Sequence, residues 1–346
     1  MQQRIERLER MIQSAVDHKR VFGAVVRMES GDGQWAWSGA AGNLNIDSRF
    51  FIASTTKLFV TATLLKLRER NDIRLTDKIG DYLDEKLLSG IHHDQGTDYS
   101  KEITIEQLMA HTSGLPDYFQ QKRVGGKSLA DEILAGQDQA WTFEQAIENS
   151  KQLKPAFPPR AKGKALYSDS NYQLLGKIIE TVTSQPLDEV FRQYIYEPLS
   201  LTNTYIYSNS EDQSPSLFYY KNAPLHVPLA MTSFGPDGGI VSTAEELTRF
   251  LRAFFEGKLF PKSALNELYE WNRIFFPLQY GKGIVKFQLP RAFSPFKPQP
   301  ELIGHSGLSG AFAYCAPKKD IYLCGTVNQT NMPSLPYKLM LGLLSV

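Results

Sequence analysis

At 346 residues, with 42% hydrophobic and 22% charged side chains, the chain has an ordinary globular composition and enough length for a large core. Its 38 basic and 37 acidic residues nearly cancel, which excludes the basic excess that a nucleic-acid or anionic-membrane binder needs. No run reaches the roughly 20 apolar residues of a membrane span, and residues 1–7 lack the apolar stretch of a secretory signal. Unless a leader was removed beforehand, the chain as given reads as cytoplasmic.

The spacing of Ile5, Leu8, Ile12 and Val16 predicts an amphipathic opening helix. Residues 21–28 and 34–39 then read as two short strands joined by Gly31-Asp32-Gly33. From residue 54 a helix follows whose positions 58–67 are apolar almost all round, so it should be buried. Residues 76–230 read as helices and loops. Thr104-x-x-Gln107 and Thr142-x-x-Gln145 have the form of capping boxes, and Pro186 is placed just inside a helix that ends before Pro198. Thr243-x-x-Glu246 opens another helix, ended by Gly257. Strands are predicted at 281–287, 301–307, 311–316 and 321–327, with a last helix from about Ser334.

Strands at both ends of the chain with helices between them predict a discontinuous α+β architecture. An antiparallel sheet domain, 1–75 plus 235–346, would carry the opening and closing helices on one face. A mostly helical inserted domain would occupy 76–234. The two cysteines flank a predicted hairpin loop at 317–320, with Cys315 opposite Tyr322 and Cys324 diagonal to Cys315. Diagonal neighbours lie about 7 Å apart, too far for easy bridging, so both read as free thiols.

Ser54 and Lys57 are the chemically pointed pair. A serine hydroxyl is a poor nucleophile unaided, and a lysine one helical turn on points to the same side and can touch it. A lysine at the start of a buried helix is costly without a partner or a task. By itself Ser-x-x-Lys is also the pattern of a helix cap followed by a surface lysine. His92-His93-Asp94 has no further ligand at metal-site spacing and reads as an exposed polar loop; no metal or other cofactor is called for. His111, at a helix end before Thr112-Ser113-Gly114, reads as a turn-fixing residue, Tyr118 and Phe119 as either pocket lining or core, and Gly238-Gly239 as backbone punctuation.

Two further clusters lift the pair above coincidence: Tyr167-Ser168-Asp169-Ser170-Asn171 and Gly304-His305-Ser306-Gly307-Leu308. With His111-Thr112-Ser113-Gly114-Leu115 and Gly238-Gly239-Ile240-Val241-Ser242-Thr243, their order from about residue 20 to the C-terminus resembles the serine β-lactamase and penicillin-binding-protein superfamily. The closest pattern is its class C β-lactamase, DD-peptidase and esterase branch. The resemblance implies a β-lactamase/transpeptidase-like fold and an acyl-enzyme on Ser54. Lys57 and Tyr167 would manage its proton, and the backbone N–H groups of Ser54 and Leu308, which follows His305-Ser306-Gly307, would hold the oxyanion.

Two departures from the pattern bear on substrate. Asp169 stands where asparagine is commonest, so it can accept but not donate to a substrate amide, and its charge should keep Lys57 protonated. Tyr167, with Lys57 as its cation, is then the expected general base. His305 stands where β-lactamases carry lysine and would be cationic only near or below about pH 6.5. These changes favour a small amide, short peptide or ester over an antibiotic. The rival readings are a carboxylesterase and a slow-turnover penicillin-binding sensor. The oligomeric state is left open.

Overall fold

The computed structural model describes residues 2–159, 161–293 and 298–346. Helix α1, Gln2–Ala15, buries Leu8 and Ile12. It leads into strand β1, Gly23–Ser30, and strand β2, Ala36–Gly42. The pair begins and ends about two residues later than the pattern suggested. Its turn extends to Trp35, whose carbonyl accepts from the Ser30 amide at 2.9 Å, while Gly33 takes the positive φ of 72° that the turn requires.

The C-terminal strands are β3 (Asn272–Phe275), β4 (Leu278–Tyr280), β5 (Val285–Phe287), β6 (Leu302–Ser306), β7 (Ala311–Ala316) and β8 (Ile321–Thr326). With β1 and β2 they form one eight-stranded sheet in the order β3-β4-β5-β6-β7-β8-β1-β2, every adjacent pair antiparallel. The β1–β8 pairing, Val25 opposite Thr326 through Ser30 opposite Ile321, joins the two ends of the chain. Cys315 does lie opposite Tyr322 and both thiols are free and buried. The hairpin β3–β4 was not legible, because Pro277 interrupts a short aromatic run with no clean alternation. The strand predicted at 281–287 is shorter, because Gly281 to Ile284 form a turn with Gly283 at a φ of 80°.

Strand β7 explains the layering. Every residue in it is buried, and bulk alternates along it. Phe312, Tyr314 and Ala316 face a core built with α1 and the closing helix α5, Leu335–Leu344. Ala311, Ala313 and Cys315 face a second core, which contains α2 (Thr56–Glu69) and α4 (Ala244–Glu256). Small residues on that side let the helices approach, and Phe59 of α2 stacks on Phe250 of α4 with centroids 3.6 Å apart. α2 keeps every residue from Thr56 to Leu65 buried, as its sequence demands.

The segment between α2 and α4 carries several helices, α3 (Asp169–Thr183) among them, separated by loops and short hairpins. Both Thr–Gln capping boxes form, and Ser128 with Asp131 adds one not anticipated. Only half the box at Thr243 forms. Its side chain accepts the Glu246 amide, but the Glu246 carboxylate turns away to the amides of Thr202 and Asn203. Pro186 caps its helix rather than lying inside it. A small sheet of Phe50–Phe51, Ile240–Ser242 and Tyr205–Ile206 sits just before the Ser54 turn and anchors it through Ile52 N–H donating to Ile240 O at 2.9 Å.

Candidate active site

Ser54 lies in a single 3-10 turn, Ala53–Thr55, that runs directly into α2. The preceding residue, Ala53, has a φ of 46°, in the left-handed region an alanine normally avoids at a cost of about 1–3 kcal/mol. The strain is held by neighbours. The Ser309 hydroxyl donates to Phe51 O at 2.6 Å. The backbone at Gly307 comes so close that a Cβ there would sit 2.4 Å from Ile52 O. β6 thus ends against the nucleophile turn, and only glycine at 307 permits it. This brings Leu308, 43% exposed, to the open side of Ser54.

Lys57 is fully buried. Its ammonium donates to Asp169 Oδ1 at 2.7 Å, to the carbonyl of Asp237 at 2.6 Å and to Ser54 Oγ at 3.2 Å. It lies 5.1 Å from the Tyr167 ring centroid and 5.2 Å from that of Tyr172. Burial pulls Lys57 toward the neutral form, but the charge of Asp169 outweighs it and leaves the pKa above the ordinary lysine value. Lys57 is therefore a cation at rest, as Asp169 led us to expect.

Tyr167 immediately precedes the α3 N-cap, Ser168. Its ring lies 4.4 Å from that of His111 and 5.8 Å from that of Tyr280. Its hydroxyl is buried near Ser54 and Lys57 without completing a hydrogen bond. The Lys57 cation does not bring its pKa down. Burial raises it, more than the Lys57 charge and the proximity of Ser54 lower it, so the resting group is a neutral phenol.

His111 does more than fix a turn. It adopts a φ of 57°, and its Nδ1 accepts from the Ser168 amide at 3.1 Å and from Asn171 Nδ2 at 3.0 Å. That pattern assigns the proton to Nε2 and holds the segment carrying Tyr167 and Asp169. Burial, then the Lys57 charge, keeps its imidazole neutral.

On the opposite wall, His305 is tied at both ring nitrogens. Nδ1 donates to Ser306 O at 2.8 Å and Nε2 accepts from the Tyr280 hydroxyl at 3.0 Å. Burial, followed by the Lys57 charge, lowers its pKa to about 3. The expectation of a cationic His305 near pH 6.5 is therefore corrected: the imidazole is neutral at any pH near physiological. Ser306 is occupied too, its hydroxyl paired with that of Tyr337 from α5 at 2.7 Å.

Ser54, Tyr167, His305, Ser306, Gly307 and Leu308 all line one groove of about 780 Å³. Asp169 lies instead on a smaller pocket of about 70 Å³ that Ser54 also lines, and Lys57 lines neither. Two buried acids went unnoticed in the sequence. Asp117 lines the large groove, and burial, reinforced by the charge of Asp169, raises its pKa to about 7. Asp237 lines the small pocket. Burial, then Asp169, raises it well above the carboxylate range. Asp117 follows a proline and Asp237 precedes two glycines, contexts that by themselves give no sign of burial. His92 corrects another reading. It is buried, its Nε2 hydrogen-bonded to Phe157 O at 2.9 Å, while only His93 is exposed. Among the described residues no three His, Cys, Asp or Glu side chains come together as a metal site, and no helix is long and apolar enough to cross a membrane.

The comparisons with known proteins bear on the family and the fold. A family model described as beta-lactamase matches residues 8–344. A putative penicillin-binding protein of Bacillus subtilis, PbpX, is 23% identical over 225 residues, 64% of this chain and 50% of its own length. The chain spans about half the length, or less, of the curated relatives it matches. Among solved structures, a D-stereospecific amidohydrolase from a Streptomyces species superimposes with a TM-score of 0.77 at 28% identity, covering 95% of this chain and 96% of that one. A D-amino acid amidase from Ochrobactrum anthropi has a TM-score of 0.80 at 19% identity over 98% of each chain, a likeness of fold.

Proposed function

For a chain that belongs to the beta-lactamase family, we propose a serine hydrolase that forms an acyl-enzyme on Ser54 from a small amide, short peptide or ester. The observation that carries this reading is a Ser54 hydroxyl 3.2 Å from a buried ammonium, on a strained turn at the floor of an open groove.

The resting protonation states suggest how the proton moves. A neutral Tyr167 cannot simply remove the Ser54 proton. It can take that proton while passing its own to the leaving nitrogen or oxygen, so no phenolate accumulates. Lys57 stabilises negative charge on Tyr167 or Ser54 Oγ during the exchange. The backbone N–H groups of Ser54 and Leu308 are the candidate oxyanion donors. In deacylation the same relay runs backwards, with water giving its proton to Tyr167 and Ser54 Oγ recovering one. Asp169 serves as the counter-charge of Lys57.

Substrate class follows from the His305 wall of the groove, away from which Lys154 is a lining cation. With His305 neutral and Ser306 engaged by Tyr337, the wall that would meet a substrate carboxylate offers no fixed cation. This favours a D-amino-acid amide or ester, in line with the amidohydrolase likeness, over a β-lactam or a peptide read by its C-terminal carboxylate. The same observation keeps a carboxylesterase as the second reading. A panel of D-alaninamide, D-alanine methyl ester, p-nitrophenyl acetate and nitrocefin, with intact-protein mass spectrometry for the Ser54 adduct, tests both. Turnover of the amide or methyl ester that disappears in Ser54→Ala supports the proposal. Turnover of p-nitrophenyl acetate alone selects the esterase. A persistent penicillin adduct without turnover would identify a binder and overturn both.

A further inference from the structure

The small pocket beside Ser54 has features that hydrolysis itself does not use. Its walls include Phe119, Phe218, Phe234 and Met231, yet its lining also includes Asp237 and, shared with the large groove, Thr330, whose Oδ1 and Oγ1 are buried with no hydrogen-bond partner. Asp237 is 2% exposed and Thr330 is 7% exposed. Leaving such groups unpaired is expensive, on the order of 1–3 kcal/mol each, so a site that retains them is built for a ligand that pairs them. The other Asp237 oxygen, Oδ2, is satisfied twice, accepting from Tyr118 at 2.8 Å and from Gln173 Nε2 at 3.0 Å.

Charge points to the kind of ligand. Three buried acids, Asp117, Asp169 and Asp237, surround one buried ammonium, Lys57, whose ion pair goes to Asp169. Both nearby imidazoles, His111 and His305, are neutral. Tyr118 is held as a phenol, first by burial and then by Asp237. Lys57 reaches the backbone carbonyl of Asp237 and forms its ion pair with Asp169, so the Asp237 carboxyl makes no ion pair of its own. Aromatic walls around an acceptor suit an ammonium, which a ring face also attracts.

Position assigns the ligand's place in the substrate. Tyr167, which hands a proton to the leaving atom in the mechanism above, lines the large groove and not the small pocket. The leaving group therefore occupies the groove, and the acyl portion faces the pocket. Resting on that reading of Ser54, we propose that the small pocket binds the free primary ammonium of an aminoacyl substrate through Asp237 Oδ1 and Thr330 Oγ1. The preferred acyl donor would be a short amide or ester with an unblocked N-terminal amine. N-acylated peptides and penicillins would be poor substrates, because they bring no cation to the acid. When the ammonium enters, Asp237 gives up its proton to solvent and the ion pair forms, so binding releases about one proton in a linked step.

The test separates binding from catalysis. Isothermal titration of Ser54→Ala protein with D-alaninamide and with N-acetyl-D-alaninamide, at pH 7 in two buffers of different ionisation enthalpy, measures affinity and proton release without turnover. The expected result is at least tenfold tighter binding of the free amine, with proton release near one. Asp237→Asn should abolish both the preference and the release. In the wild-type background that change should raise KM for D-alaninamide at least tenfold more than it raises KM for p-nitrophenyl acetate. Thr330→Val should weaken amine binding several-fold without changing proton release. Equal or tighter binding of the N-acetyl compound, or a preference that survives Asp237→Asn, overturns the proposal. Loss of all esterase and amidase turnover with the binding preference intact would instead refute the hydrolase reading and leave the pocket assignment standing.

Discussion

Replacing Lys57 by methionine tests the buried charge cluster most directly. The Lys57–Asp169 pair spans 2.7 Å, with the two side chains 0% and 8% exposed. At an effective dielectric of about 20 its Coulomb attraction is roughly 6 kcal/mol, most of which offsets the cost of burying both ions. Removing only Lys57 leaves Asp169 without its cation and beside Asp117 and Asp237, a situation that costs about 3–5 kcal/mol. The carboxyl can relieve this by taking a proton, which fixes the sign of the pH dependence. In Lys57→Met the buried carboxylate has lost its cation, and burial then disfavours the charged form. The penalty is therefore absent in acid, where carboxylates are protonated, and grows with pH by up to about 1.4 kcal/mol per unit. Urea denaturation at pH 5 and pH 8, compared with wild type, should show the larger loss at pH 8. Lys57→Met with Asp169→Asn should recover most of it, to within about 1–2 kcal/mol of wild type. A loss below about 1 kcal/mol at pH 8, a loss independent of pH, or a double variant no better than the single one would refute the reasoning.

Tyr167→Phe should lower kcat by about 10²–10⁴-fold, because the relay loses its transfer atom, yet the protein should unfold at the same or slightly higher urea concentration, since a buried unpaired hydroxyl is removed. Gly307→Ala should cut kcat by about 10²-fold or more as the Cβ displaces the Ser54 turn from Ile52 O; a crystal structure with Ser54 unmoved and full activity would count against the clamp. Asp117, with its pKa raised to about 7, makes the fold lose stability as pH rises from about 4 to 7, at up to about 1.4 kcal/mol per unit, and Asp117→Asn should flatten that slope in denaturation midpoints. With a pKa of about 3, His305 should produce no inflection in kcat/KM between pH 5 and 8; an inflection near 6.5 that vanishes in His305→Gln would disprove its neutrality.

Local signals were the legible ones. The all-apolar face of 58–67, the capping threonines and the alternation of 311–316 each report a demand made by neighbouring residues in the chain, and each reappears in the structure. The four dispersed site residues Ser54, Lys57, Tyr167 and Asp169 could be named in advance because their types and order resemble a known pattern, and the two ion-pair partners among them do meet, 112 residues apart in sequence. Protonation was not legible in the same way. Desolvation depends on how many layers cover a group, so the neutrality of His305, the raised phenol of Tyr167 and the acids Asp117 and Asp237 appeared only once the fold had buried them. The sequence by itself determined which residues are present to make a nucleophile and its cation, since helical spacing sets Ser54 and Lys57 side by side. The tertiary structure alone decided what that pair faces: a neutral wall toward the groove and an unpaired acid toward the small pocket, because charge states and unpaired oxygens depend on what surrounds a group and not on what precedes it in the chain.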